Sequence, residues 1–323
     1  MSYIESQRLL ATEWKRSTST LPDAAKVPAP YIGKDGKPSS REYDMCLPPE
    51  YAELNLLPEV RTRALELFAE LGIPWHASVN GGPSNHLLSS QVQCVNALTQ
   101  MVDDPDRLVR AFGQVIDVGE VLEVEPGRFL TFEYIGPIDF FNEGKGQERV
   151  RGAHCTSVDA AFLHCAPDGA SELVLVEWKY TESYRLRTPD PQRDAVRFAR
   201  YGAAVADPNG PINCGLLPFD LLLDEPIYQL VRQQLLAHAL EKAAVADRVR
   251  VVHVLSPDND GYERSLHGRE LRERGQTVRE VWNCLLRRSD RFTSMDPGHF
   301  LAACVTSDEY LSRYGSGACE PRG

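Results

Sequence analysis

The chain has 323 residues, of which 42% are hydrophobic and 25% charged, the composition of a soluble globular protein with a core large enough for one large domain or two small ones. No apolar run reaches membrane-spanning length, Met1–Glu5 lacks a basic-then-apolar leader, and the eight cysteines form no CxxC, so reduced thiols in a cytoplasmic protein are expected rather than a disulfide framework. The formal net charge of −11 excludes nucleic-acid binding through the overall field and demands local basic patches if such binding occurs.

Residues 3–16 read as a short amphipathic helix, and residues 17–48, rich in Pro, Gly, Ser, Lys and Asp, as an extended arm or irregular surface segment. Within that arm, Gly33-Lys34-Asp35-Gly36-Lys37 lacks P-loop spacing and a following helix, so it is not a phosphate loop. Pro58 opens a helix through Glu70 with Val60, Ala64, Leu65, Leu67 and Phe68 on its apolar stripe, stopped by Gly72 and Pro74. A polar loop from Trp75 to Asn85 leads to Ser89 or Ser90, either of which caps a helix holding Val92, Val95, Leu98 and Met101. Gln91 stands in its first turn, and His86 just before it reads as a loop anchor. A helix over 105–116 and strands over 118–124 and 129–135 follow, the second strand carrying Glu133 between Phe132 and Tyr134. Gly144-Lys145-Gly146 reads as a loop.

Thr156–Leu163 and Leu173–Tyr180 are apolar runs of strand length joined through Pro167-Asp168-Gly169, the pattern of a β-hairpin. Asp159 interrupts the first run, and Glu177 and Lys179 interrupt the second. Alternation puts Glu177 and Lys179 on one face, about 6–7 Å apart at their Cα atoms, and Trp178 on the other. Antiparallel pairing brings Asp159 beside them. Two carboxylates and an ammonium cost too much to bury for packing alone, and they need a metal, a mutual network or water. With the Trp178 carbonyl as a third ligand, Asp159 and Glu177 form a hard oxygen site suited to Mg²⁺ or Mn²⁺. Lys179 beside such a metal would orient or help deprotonate water and stabilise a phosphoryl transition state. Glu133, one strand away, is either a further ligand, a partner of Lys179 or an exposed charge; Gln91 either positions a water or phosphate or ties its helix to a loop. A zinc site from His154-Cys155 and His164-Cys165 fails on spacing, the pairs lying about 30 Å apart if extended. Nothing local activates Cys155 as a nucleophile.

Glu182 falls off the Glu177/Lys179 alternation and is a supporting group or a surface charge. A helix over 192–206 places Arg193, Arg197 and Arg200 on one face, available to phosphates or simply solvated. Arginines also crowd the C-terminal third, mixed with acidic residues. Residues 208–224 read as a loop, 225–246 as the clearest helix, 248–255 as a buried strand, 276–287 and 297–304 as helices, and 315–318 as a frayed tail.

Asp159 followed by Glu177-Trp178-Lys179 across a hairpin resembles the D…(D/E)xK signature of the PD-(D/E)XK nuclease superfamily, although Val158 stands where the superfamily's name has proline. Arg151–Asp159, Glu177–Tyr184 and Leu88-Ser89-Ser90-Gln91 resemble a bacterial group of restriction endonucleases within it, over residues 75–255. The resemblance implies an α/β fold, a PD-(D/E)XK restriction-endonuclease-like core with a central mixed sheet flanked by helices. The core would span 75–255, preceded by a helical and extended region over 1–74 and followed by a helical extension over 256–323. It further implies a Mg²⁺-dependent endodeoxyribonuclease of restriction or defence type, with Mn²⁺ as a substitute, DNA as substrate (RNA left open), and a homodimer, since most such enzymes cut two strands by dimerising. Asp159, Glu177 and Lys179 would be catalytic, supported by Gln91 and Glu133; Gln229 and Gln233 loosely resemble a glutamine-bearing motif of the superfamily's RecB-like branch, or are surface polarity. The alternatives are a catalytically inactive nucleic-acid-binding or interaction module on the same fold, and a glycosidase using Glu133 and Glu177.

Overall fold

The computed structural model describes residues 1–315 apart from 145, 147, 153 and 154; the expectations for Lys145, for His154 and for the tail beyond Gly315 lie outside the described residues. Helix α1 (Tyr3–Ser17) starts in a capping box formed by Ser2 and Glu5 and buries Ala11, Trp14 and Lys15. The next segment is not a featureless arm. It forms an antiparallel hairpin of β1 (Ala29–Ile32) and β2 (Pro38–Tyr43), turning at Gly33–Lys37 with Gly36 at φ +73°. No position of β2 is fully buried, so no apolar alternation marks it in the sequence.

Helices α2 (Pro58–Glu70), α3 (Ser90–Leu98) and α4 (Pro105–Phe112) follow, with Ser89 capping α3 by accepting from Val92 N. Strands β3 (Glu120–Leu122), β4 (Leu130–Tyr134), β5 (Val158–Cys165) and β6 (Ser171–Trp178) come next, then α5 (Pro191–Ala206), α6 (Ile227–Lys242) and β7 (Arg248–Val254). The C-terminal third holds α7 (Asp260–Glu263), α8 (Arg269–Arg272), α9 (Val278–Leu285), β8 (Phe292–Met295) and α10 (Asp308–Tyr314). The helix expected over 297–304 is a 3₁₀ turn over Pro297–Leu301, opened by Asp296, whose side chain accepts from Gly298 N.

Six strands form one mixed sheet. β5 and β6 make the expected antiparallel hairpin, β6–β7 and β7–β8 are parallel, and β3 and β4 lie end to end along the outer edge of β5. Period-two alternation divides the strand side chains between two cores. Val176, Trp178, Val252 and Val254 pack with α1–α4 and α10 on one face. Leu173, Leu175, Val249 and Val251 pack with α5, α6 and α9 on the other. The architecture is α/β, a mixed central sheet flanked by helices, compatible with a restriction-endonuclease-like fold. The first core joins Trp14, Phe68, Trp178 and Tyr310, so it draws on all three segments marked off in the sequence. Among the described residues, no helix is long and apolar enough to cross a membrane.

Candidate active site

Strand register assembles the site. Ala160 on β5 pairs with Val176 on β6, so one step towards the strand end Asp159 faces Glu177. On the other side, Phe132 pairs with Ala160 and Tyr134 with Val158, which brackets Glu133 opposite Asp159. Glu177 in turn pairs with His253 on β7. Glu133, Asp159 and Glu177 therefore form a row across three adjacent strands, each about 4.8 Å from the next. The face is that of α6. Trp178 points the opposite way, 1% exposed, its Nε1 donating to Gln93 Oε1 on α3 at 2.9 Å.

The hairpin opens where the row sits. Beyond the Ala160–Val176 pair, Trp178 N donates to Asp159 Oδ2 at 2.6 Å instead of to β5 backbone. In an extended strand a residue's N–H and C=O point to the same edge, so the Trp178 carbonyl is turned towards Asp159 as well. The next amide, Lys179 N, donates to Val254 O at 2.8 Å and keeps β6 pinned to β7. Glu133 has φ +47°, the left-handed region that a Cβ disfavours, which interrupts β4 pairing at the residue that faces Asp159.

Glu177 is 3% exposed and held by three donors. Its Oε1 accepts from Lys179 Nζ at 2.6 Å and from Gln229 Nε2 at 2.7 Å; its Oε2 accepts from Gln233 Nε2. Both glutamines belong to α6, one turn apart, so a single helix face clamps the carboxylate. Gln233 is 1% exposed, which overturns the surface-polarity alternative for that residue. Gln91 does two things at once. Its Oε1 accepts from His76 N at 2.8 Å, tying α3 to the loop before it, while its Nε2 reaches Glu133 Oε1 at 3.4 Å. Ser157 Oγ holds the other oxygen of Glu133 at 2.8 Å. Glu182 accepts from Tyr180 N at 2.6 Å and lines the same cleft.

The electrostatics follow from three carboxylates sharing one ammonium. Burial, then the negative charge of Glu177, drives the Asp159 carboxyl well above the usual range, and burial likewise raises Glu133. Burial works against charge on Lys179, yet Glu177, Tyr184, Glu182 and Asp159 together outweigh it and lift its pKa well above that of an ordinary lysine. Burial pushes His253 down to about 3, and Tyr262 OH bonds its Nε2 at 3.2 Å; it extends the row as a neutral ring.

The row opens into a cleft of about 690 Å³ lined by Asp159, Glu133, Lys179, Gln91 and Gln229, with Lys34 and His76 at its rim. Among the described residues no three His, Cys, Asp or Glu side chains already converge on one point. The donor set nevertheless fits a hard divalent cation. It is all oxygen, it gathers carboxylates whose burial and mutual repulsion raise Asp159, and Asp159 lines the cleft while its Oδ2 holds Trp178 N. Among the described residues a zinc site finds no support, because Cys155 precedes β5 and Cys165 ends it. No disulfide joins the described cysteines.

The α5 arginines are not brought to this cleft. Arg197 donates to Asp194 Oδ1 at 3.2 Å and stacks 4.4 Å from the Tyr228 ring, and Arg200 donates to Glu143 O at 3.1 Å. Arg193 remains exposed, 3.9 Å from Asp190. Residues that sequence reasoning passed over are Ser157 and His253. The signal for His253 was present, since a histidine inside an apolar parallel strand is placed by register alone.

No curated protein and no solved structure matches the chain. A sequence profile does, over residues 8–315. It reaches the restriction endonucleases as a class and does not carry the narrower bacterial group that the motifs also resemble. With the match covering nearly its whole length and an acidic row at the mouth of its central sheet, this chain belongs to the family described as restriction endonuclease associating with ARP.

Proposed function

We propose that the chain is a Mg²⁺-dependent endodeoxyribonuclease of restriction or defence type, with Mn²⁺ as a competent substitute and a PD-(D/E)XK core. The observation that carries this reading is the row Glu133–Asp159–Glu177 on three adjacent strands, with Lys179 two residues along from Glu177 on the same face. Asp159, Glu177 and the Trp178 carbonyl would hold the cation, which when bound supplies Lewis acidity and a more acidic water. The protein's own groups do the rest. Lys179, kept protonated by its neighbours, places a fixed positive charge beside the phosphodiester where negative charge grows during attack. Gln229 and Gln233 fix the rotation of the Glu177 carboxylate, and Gln91 and Ser157 do the same for Glu133. Glu133, with its raised pKa, is suited to pass a proton to or from a water in the cleft.

The carbohydrate alternative is disfavoured because Asp159 stands between Glu133 and Glu177 in the row, and a two-carboxylate scheme gives no role to Lys179, which bonds Glu177 directly. The test is incubation of purified protein with plasmid, linear duplex and single-stranded DNA, and RNA, with Mg²⁺ or Mn²⁺, beside Asp159→Ala and Lys179→Ala. Cutting that both substitutions abolish supports the proposal, and size-exclusion of the same sample reads whether a homodimer carries it. Binding without cutting under every condition refutes it in favour of an inactive module.

A further inference from the structure

We propose that the groove between α1 and the β1–β2 hairpin takes a single-stranded stretch of nucleic acid leading into the catalytic cleft, an inference that rests on the nuclease reading of that cleft. The groove has a volume of about 620 Å³ and is walled by Arg8, Leu9, Arg41, Tyr43 and Met45. Tyr31 and His86 line both it and the catalytic cleft, so the two spaces meet at this pair, whose rings stand edge to face at 5.3 Å.

The charge distribution points to the same place. Most arginines of this acidic chain are used internally, against carboxylates or backbone carbonyls. Among the described residues, the exposed lysines and arginines that make neither a hydrogen bond nor an ion pair are Arg8, Lys34 and Arg185. Arg8 lines the groove, Lys34 lines the cleft, and Arg185 follows Tyr184, which lines the cleft. Arg41 has no carboxylate partner either; it donates to Tyr43 Oη at 2.9 Å and lies 5.1 Å from that ring's centre. On α1, Arg8, Thr12 and Arg16 recur at four-residue spacing and present one face to the groove. Arg16 is committed only to an exposed pair with Asp44, an interaction that a phosphate can replace.

The chemistry of the walls selects a single strand over a duplex. Duplex backbone offers phosphates and sugars, for which cations suffice. This groove adds two tyrosine rings and Leu9 at 51% exposure, apolar surface on which an unpaired base can lie while neighbouring guanidiniums take its phosphates.

The experiment measures binding by fluorescence anisotropy, with Ca²⁺ replacing Mg²⁺, of a blunt duplex and the same duplex with a thymidine overhang. The full-length protein should prefer the overhang by about tenfold. Arg8→Ala with Lys34→Ala should remove the preference and flatten the salt dependence of overhang binding by about one unit of slope for each phosphate no longer neutralised. Tyr43→Ala should remove the preference with blunt-duplex binding unchanged, and Arg193→Ala on α5 should keep it. Equal binding of both duplexes by the unaltered protein, or a preference that survives the double substitution, overturns the groove and leaves the nuclease reading standing if DNA is still cut. A protein that neither binds nor cuts DNA overturns both.

Discussion

Gln233→Leu separates the positioning of Glu177 from the packing of α6. Gln233 is buried, its Nε2 donates to Glu177 Oε2, and its Oε1 has no partner. Leucine fills a similar volume but cannot donate. Losing a hydrogen bond to a buried carboxylate costs about 1.5–3 kcal/mol, and removing the unpartnered Oε1 returns about 1 kcal/mol. The net destabilisation is then about 0.5–2 kcal/mol, a fall of about 1–3 °C in Tm for a chain of this length, too small to unfold the protein at 25 °C. Activity should suffer more. A carboxylate freed on one side rotates about the bonds that Lys179 and Gln229 still hold, and the loss of such an outer partner lowers metal affinity or rate by about 10–100-fold. Plasmid nicking and urea unfolding on one preparation give both numbers. A variant that loses several kcal/mol of stability but cuts normally once folded, or one unchanged in both, would refute the idea that Gln233 holds Glu177 for chemistry.

Further expectations concern the charges themselves. Asp159→Asn should abolish cutting and alter the pH profile of stability: the folded-state carboxyl lies above its ordinary value of 3.8, so the stability tied to its proton is full below that value and is lost as pH rises through the folded one. The variant should lack this decline in a urea-midpoint series from acid to neutral pH, and parallel profiles would count against the raised carboxyl. Lys179→Met strips a buried carboxylate of its only cationic hydrogen-bond partner and should cost about 3–5 kcal/mol, most of it recovered by adding Glu177→Gln; a double variant as unstable as the single one would contradict the pairing. Glu133→Gly relieves a left-handed backbone worth about 1 kcal/mol while deleting a carboxylate, so chemical denaturation should show little change where nicking assays show a clear loss. An unimpaired Glu133→Gly enzyme would remove Glu133 from the chemistry.

The β5–β6 hairpin was legible because its grammar is local: two apolar runs, a Pro-Asp-Gly turn, and charges at fixed alternation fix which residues face each other. Glu133 was legible only as a candidate, since its placement depends on how β4 aligns with β5, a relation between segments separated by a long loop. The Gln229–Gln233 clamp was ambiguous for a different reason. α6 is buried around much of its circumference, so its polar residues cannot be assigned to solvent from periodicity alone. The role of the α5 arginines stayed open because charge in a sequence does not say which neighbour meets it: Arg197 turns to Asp194, Arg200 to the Glu143 carbonyl, and Arg193 stays exposed. The β1–β2 hairpin escaped notice because exposed strands rich in Ser, Pro and Arg carry almost no hydrophobic signal.

Arg313 near the chain's end donates to Asn55 O and Oδ1 and to Leu87 O, and its guanidinium lies 4.5 Å from the ring centre of Trp14. Trp14 Nε1 and Thr18 Oγ1 both donate to Glu309 Oε1 at 2.8 Å, and Lys15 Nζ bonds the carbonyls of Val27, Asp44 and Cys46. The last helix thus latches the first, and the first braces the hairpin beside it. Clipping the protein after α9 would loosen a wall built from the opposite terminus, so affinity tags, nicks or fusions at the C-terminal end are felt in the groove beside α1.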